Sequence, residues 1–249
     1  MLKKRKTHRE MSLTEATNIL TRAYIPGLIV HAGFQSGRLL GRIKVLHEDH
    51  IPNDLENAII ACNHPSVIDP FLAAGLISTH FVRHPLKCAP LIMADRQNFY
   101  NNKWLWPFKP VMMPIDRQKQ DDQTSGLNKM SRIKRPRIIF PEGGRTFKGE
   151  PGQWLYCSRG NNTNGGRIRP FHGGVGILAK NSSFVLPVAI LGSHKVVPNS
   201  QHTLWTYFDF WAKVTIIVGK PMTFNRKVER GYVTQQIQMA ILNLLNEAL

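Results

Sequence analysis

The chain has 249 residues, 42% of them hydrophobic, with a formal charge of +17 and a pI of about 10.2. That content supports a sizeable core and excludes disorder over most of the length, which suits one large domain with an appendage. A surface this basic seeks polyanions, and the absence of a nucleic-acid motif or of interleaved aromatic and basic residues favours an anionic membrane or a phosphorylated substrate over nucleic acid.

Residues 1–10 form a polybasic tail. Residues 12–46 read as one or two helices, opened by Ser12 with Glu15 three residues on, the spacing of a capping box. Ile19, Leu20, Tyr24, Leu28, Ile29 and Leu40 make apolar stripes interrupted at Pro26-Gly27. Such a segment either lies on a membrane or packs on the domain as ordinary amphipathic helix. We read 1–46 as a basic tail and membrane-facing helical segment, and 47–249 as an α/β domain. Apolar strand-like runs follow at 58–62, 89–93, 111–115, 137–140, 184–190 and 213–219. Helical stretches lie near 69–79, 121–133, 172–181 and 230–249, the last with Ile237, Ala240, Ile241, Leu244 and Leu245 at helical spacing. The alternation predicts an α/β fold, a mixed sheet covered by helices and preceded by an N-terminal helical segment. The stretch 148–169 reads as a surface insertion or a functional lid, Gly- and Asn-rich in its middle, with Trp154 and Tyr156 upstream.

Neither a signal peptide nor a run of about 18 apolar residues is visible, so peripheral or monotopic attachment at the cytoplasmic face of a membrane is expected. Cys62, Cys88 and Cys157 are odd in number and lack metal-site spacing, which suggests neither a disulfide framework nor a zinc site.

Two strand ends carry the chemistry. After the run Ala58–Cys62 comes Asn63-His64-Pro65-Ser66-Val67-Ile68-Asp69-Pro70. A histidine there, ordinarily titrating near 6.5, can take a proton from a hydroxyl, and a carboxylate on the next element can fix its tautomer. Asn, His and Asp are also turn and cap residues, so Asp69 alternatively just opens a helix. After Arg137–Phe140 comes Pro141-Glu142-Gly143-Gly144-Arg145-Thr146, where glycines admit a ligand close to the backbone and Arg145 offers a planar fork for phosphate. A plain turn with a solvated arginine accounts for the same residues.

Taken together and in order, these blocks resemble the lysophospholipid acyltransferase family, the 1-acyl-glycerol-3-phosphate acyltransferases among them. His64 and Asp69 match its first motif and Pro114-Ile115-Asp116-Arg117 its second. Phe140-Pro141-Glu142-Gly143-Gly144-Arg145 matches the third, with Gly144 where Thr is usual. Val185-Leu186-Pro187-Val188-Ala189 matches the fourth, and Pro170-Phe171-His172-Gly173-Gly174 looks like a further segment with His172 in place of Lys. The resemblance implies transfer of a fatty acyl group from acyl-CoA or acyl carrier protein to a lysophospholipid hydroxyl, in phospholipid biosynthesis, without a further cofactor or metal. It implies His64 as general base and Asp69 as its orienting partner. Arg117 and Arg145 would hold the acceptor's phosphate, Glu142 a glycerol hydroxyl or one of those arginines, and N–H groups near Gly143 and Gly144 the oxyanion. Two other readings are a serine hydrolase built on Ser66 and His172-Gly173-Gly174, without a Gly-x-Ser-x-Gly elbow, and a non-catalytic basic binding protein.

Overall fold

A computed structural model describes residues 10–116, 120–148, 154–160, 166–197 and 208–249. The chain opens with α1 (Leu13–Asn18), capped as the spacing predicts: Ser12 Oγ accepts from Glu15 N, and Glu15 returns a bond to Ser12 N. One turn of wider, i to i+5 bonding (Ile19–Ala23) joins it to α2 (Tyr24–Leu39). Pro26-Gly27 does not break this helix. Gly27 instead admits the Phe81 ring, 2.1 Å from where a Cβ would stand. The helical reading of 12–46 ends too late, because Ile43–Leu46 is a strand, β1, paired in parallel with a C-terminal strand at Ile43↔Val214. Its β-branched residues suit a strand, and only the distant partner settles the choice.

The remaining elements follow the predicted alternation. They are β2 (Ile59–Cys62), α3 (Asp69–Leu76), α4 (Ser78–Arg83), α5 (Pro85–Cys88), β3 (Leu91–Asp95), β4 (Met112–Ile115), α6 (Gln120–Met130) and β5 (Arg137–Ile139). A two-stranded ribbon of β6 (Leu155–Tyr156) and β7 (Arg167–Ile168) comes next, then α7 (Gly174–Ala179), β8 (Val185–Leu191), α8 (Ser193–Val196), β9 (Val214–Val218) and α9 (Arg230–Ala248). The main sheet has seven strands in the order β1-β9-β8-β2-β5-β3-β4, parallel except where β8 meets β9. The expected mixed α/β sheet covered by helices is present.

Alternation along the strands divides the core. Ile60 and Cys62 face Phe34 of α2 and Leu72, Ala73 and Leu76 of α3. Ile59 and Ala61 face Val175 and Leu178 of α7 and Val233, Ile237, Ile241 and Leu245 of α9. With both faces covered, β2 reads as an unbroken apolar run. Each fully buried isoleucine contributes roughly 1.5–3 kcal/mol. A third cluster seats Ile19 and Ala23 against Phe81, Cys88, Ala89 and Val111, so the N-terminal helix is packed on the domain along its inner side.

Arg137 is wholly buried at the start of β5. Its guanidinium donates to Asn57 O at 2.6 Å and Asn57 Oδ1 at 2.5 Å, and burial pulls it down to about 10. It ties β5 to the turn before β2 at the end opposite the two motif loops. Cys62, Cys88 and Cys157 are buried free thiols.

Candidate active site

The parallel strands β2, β5 and β8 end side by side, so the loops after them meet in one crevice, where α/β sheets place their ligands. Asn63 fixes the first loop: its Nδ2 donates to Ile190 O at 2.9 Å and its Oδ1 accepts from Ile190 N at 2.7 Å. The chain then turns at Pro65, and α3 begins at Asp69 with Pro70 in its first turn, where a missing N–H costs nothing.

The turn brings His64 Nδ1 to 2.9 Å from Asp69 Oδ2, which also accepts from Ser66 N at 2.6 Å. Asp69 is fully buried, and the residue capping α3 is Ile68, without a side-chain bond. Asp69 therefore serves the histidine rather than the helix end. With the Nδ1 proton held by the carboxylate, Nε2 keeps the lone pair. The His64 side chain is 13% exposed, enough to meet a substrate from one side. Phe140 stacks on it with centroids 4.3 Å apart, fixing the ring plane.

Glu142 binds the two loops together. Its Oε1 accepts from His64 N at 2.7 Å and Thr146 Oγ1 at 2.8 Å, and its Oε2 accepts from Arg169 N at 2.8 Å. Thr146 N returns a bond to His64 O at 2.8 Å. Glu142 is fully buried, and burial pushes its carboxyl up to about 7, against the pull of these bonds. A side chain so enclosed and so fully engaged is a strut. Its carboxylate oxygens are taken up by donors of the protein itself, from both loops and from the start of the segment after β7.

Gly143 takes φ +66°, a left-handed turn, and a Cβ there would fall 2.6 Å from His172 Cδ2. Its N–H donates to Phe140 O at 3.1 Å, closing the turn. Gly144 N–H has no partner among the described residues. Arg145 is half-buried at the same turn. Arg117 lies outside the described residues, while the β4 end that leads to it stands two strands from β5, roughly 10 Å away.

Several residues escaped the sequence reading. Thr146 supplies the hydroxyl that Gly144 lacks, four residues after Glu142. Arg169 brings its Nη1 within 3.0 Å of where a Gly144 Cβ would stand, a cation beside the third motif. Its signal was only its place in the basic run before Pro170. The 148–169 stretch is anchored here: Trp154 Nε1 donates to Thr146 O at 2.8 Å, and the Arg167 guanidinium lies 3.8 Å from the Trp154 ring centroid and 4.5 Å from that of Phe147. Residues 149–153 and 161–165 of that stretch are outside the described residues.

The features of the hydrolase reading are engaged elsewhere. Ser66 is fully buried, with Oγ donating to Val197 O at 3.1 Å, and His172 leads into α7 with its N–H on Pro141 O at 2.8 Å. Burial, then the charge of Asp69, pushes the Cys62 thiol well up, so it is no nucleophile.

A comparison with curated proteins finds no match. Among solved structures, the crystal structure of the 1-acyl-sn-glycerophosphate (LPA) acyltransferase PlsC from Thermotoga maritima shares the fold, with a TM-score of 0.64 over 96% of this chain and 83% of that one at 19% identity. The profile of the Acyltransferase family matches residues 42–191, more than half of the chain and the whole of the constellation around His64, Asp69 and Glu142, and the chain belongs to that family of acyltransferases.

Proposed function

We propose that this acyltransferase moves a fatty acyl group from acyl-CoA or acyl carrier protein to the free hydroxyl of 1-acyl-glycerol-3-phosphate, giving phosphatidic acid. The observation that carries the reading is the 2.9 Å bond from His64 Nδ1 to buried Asp69, with Nε2 left to act as base. Nε2 takes the hydroxyl proton as the oxygen attacks the thioester carbonyl. The C–O bond forms, the C–S bond of the tetrahedral intermediate breaks, and the departing thiolate takes the proton back. Asp69 stabilises the imidazolium between these events. Gly144 N–H is the donor for the transient oxyanion. A thioester is already activated, so the step asks for no further cofactor. Arg145, Arg117 and Arg169 hold the acceptor phosphate, which an arginine fork suits better than an ammonium. That the Thermotoga maritima protein sharing this fold is an LPA acyltransferase supports lysophosphatidic acid as acceptor.

The reaction takes place at an anionic membrane surface, with the protein peripheral to it on the cytoplasmic side. Among the described residues no helix is long and apolar enough to cross a membrane. The outer side of the helix over 13–39 exposes Leu13, Leu20, Ile25 and Ile29, and Trp104 and Trp106 stand out nearby, with Arg22 over the Trp106 ring. Exposed apolar groups beside cations suit an interfacial helix. The purified protein, given labelled acyl-CoA or acyl carrier protein and a panel of lyso-acceptors, should esterify lysophosphatidic acid. Thioester hydrolysis without an acylated acceptor would refute the assignment.

A further inference from the structure

At the far end of the sheet from His64, the turn after β1 holds a second group of chemically competent side chains. A ring nitrogen of His47, a carboxylate oxygen of Asp49 and a ring nitrogen of His50 all lie within 4.8 Å of one another. We propose that His47, Asp49 and His50, completed by Glu247 from α9, bind a zinc-class divalent metal ion.

Imidazole and carboxylate together suit zinc and its neighbours and give calcium or magnesium too few oxygens. His50 is already set as a ligand: its Nδ1 lies 2.8 Å from Val218 O at the end of β9, so the proton sits there and Nε2 keeps the lone pair. A backbone carbonyl on the non-ligating nitrogen is how metal-bound histidines are usually oriented. The two rings stack with centroids 5.2 Å apart, so they share one side of the turn. His47 Nε2 meets Glu247 Oε1 at 2.5 Å, so a second carboxylate stands beside that ring, outside the three-residue group but able to reach it by turning its side chain.

The electrostatics favour a cation. Glu247 lies in the last turn of α9, where the helix dipole already presents negative charge. Asp49 adds another carboxylate, and Glu48 beside it is taken by Arg38. This is an acidic spot on a chain of charge +17. Zinc bonds of about 2.0–2.2 Å set ligand atoms roughly 3.3–3.6 Å apart. His47, Asp49 and Glu247 are exposed and can close that far by turning their side chains. The ion would clip the β1 turn to the C-terminal helix, and it takes no part in the acyl transfer.

The test is zinc titration of the full chain, freed of any tag, by calorimetry and thermal unfolding, with cobalt absorption as a spectroscopic check. One equivalent of zinc should bind, and cobalt should give the d–d bands of a site with nitrogen and oxygen ligands. At free zinc about a hundred times the dissociation constant, the unfolding constant should fall about 100-fold. His47→Asn tolerates the left-handed backbone at that residue (φ +57°). Combined with His50→Gln it should abolish that equivalent, while circular dichroism and acyl transfer stay as in the parent. Glu247→Gln, remote from the turn's own backbone, should weaken binding by itself. No bound zinc, equal binding of magnesium, or an unchanged stoichiometry in the double variant would overturn the proposal.

Discussion

Replacing Glu142 by Gln should flatten the pH dependence of stability. Burial holds the Glu142 carboxyl at about 7 instead of its ordinary 4.5; the charge of Asp69 adds to that push, and three hydrogen bonds oppose it. The unfolded chain releases this proton near the ordinary value. Between the two values the folded state holds a proton that the unfolded state has lost, so stability falls as pH rises. The contribution is whole below about 4.5 and gone above about 7, and the interval is worth about 3 kcal/mol. An amide does not titrate. Its oxygen can still accept from His64 N and Thr146 Oγ1, but its NH2 then faces Arg169 N–H, a mismatch costing about 1–3 kcal/mol at every pH. Denaturant unfolding of parent and variant, taken from about pH 4 to about pH 8, reads the difference, because groups remote from Glu142 cancel. The parent's advantage should shrink by about 3 kcal/mol across that range. Parallel profiles would show that the carboxyl is not held protonated and would sink the argument.

The other predictions concern the two loops and the core. His64→Ala should lower turnover by about 10²–10⁴-fold with an unchanged circular dichroism spectrum; a folded variant that keeps most of its acyl transfer would remove the general base from the mechanism. Asp69→Asn should cost no more than that: an amide oxygen in place of Oδ2 can still accept from His64 Nδ1 and Ser66 N, while the charge is lost and the NH2 takes the place of Oδ1, buried without a partner among the described residues. Arg145→Ala and Arg169→Ala should each raise KM for the phosphorylated acceptor, by roughly 1.5–3 kcal/mol in binding terms, and leave KM for the thioester nearly alone. Lysine at 145 should rescue only in part, and equal losses for both substrates would mean a structural role. Arg137→Met removes the donors to Asn57 O and Oδ1 and should lower the unfolding free energy by about 1–3 kcal/mol without altering KM, as chemical denaturation and kinetics would show.

Features that depend on near neighbours, or on burial from both sides, are legible along the chain. Strands such as Ile59–Cys62 and Val185–Leu191 are apolar at nearly every position because helices cover both faces, and no other partner was needed to see them. The helix start at Ser12 is a local exchange of hydrogen bonds. His64 and Asp69 were legible because one turn and five residues of chain bring them together, and the third motif because its glycines and arginine are adjacent. Features that need a partner far along the chain emerge only in three dimensions. Ile43–Leu46 has apolar residues that a helix also admits, and β9, some 170 residues later in the pairing of Ile43 with Val214, selects the strand. Glu142 is a buried strut because His64, Thr146 and Arg169 converge on it from segments far apart in the chain. Arg169 reaches the third motif only through the return of the chain along β7. Hydrogen bonds and burial of this kind are set by three-dimensional proximity, and one-dimensional spacing carries no record of them.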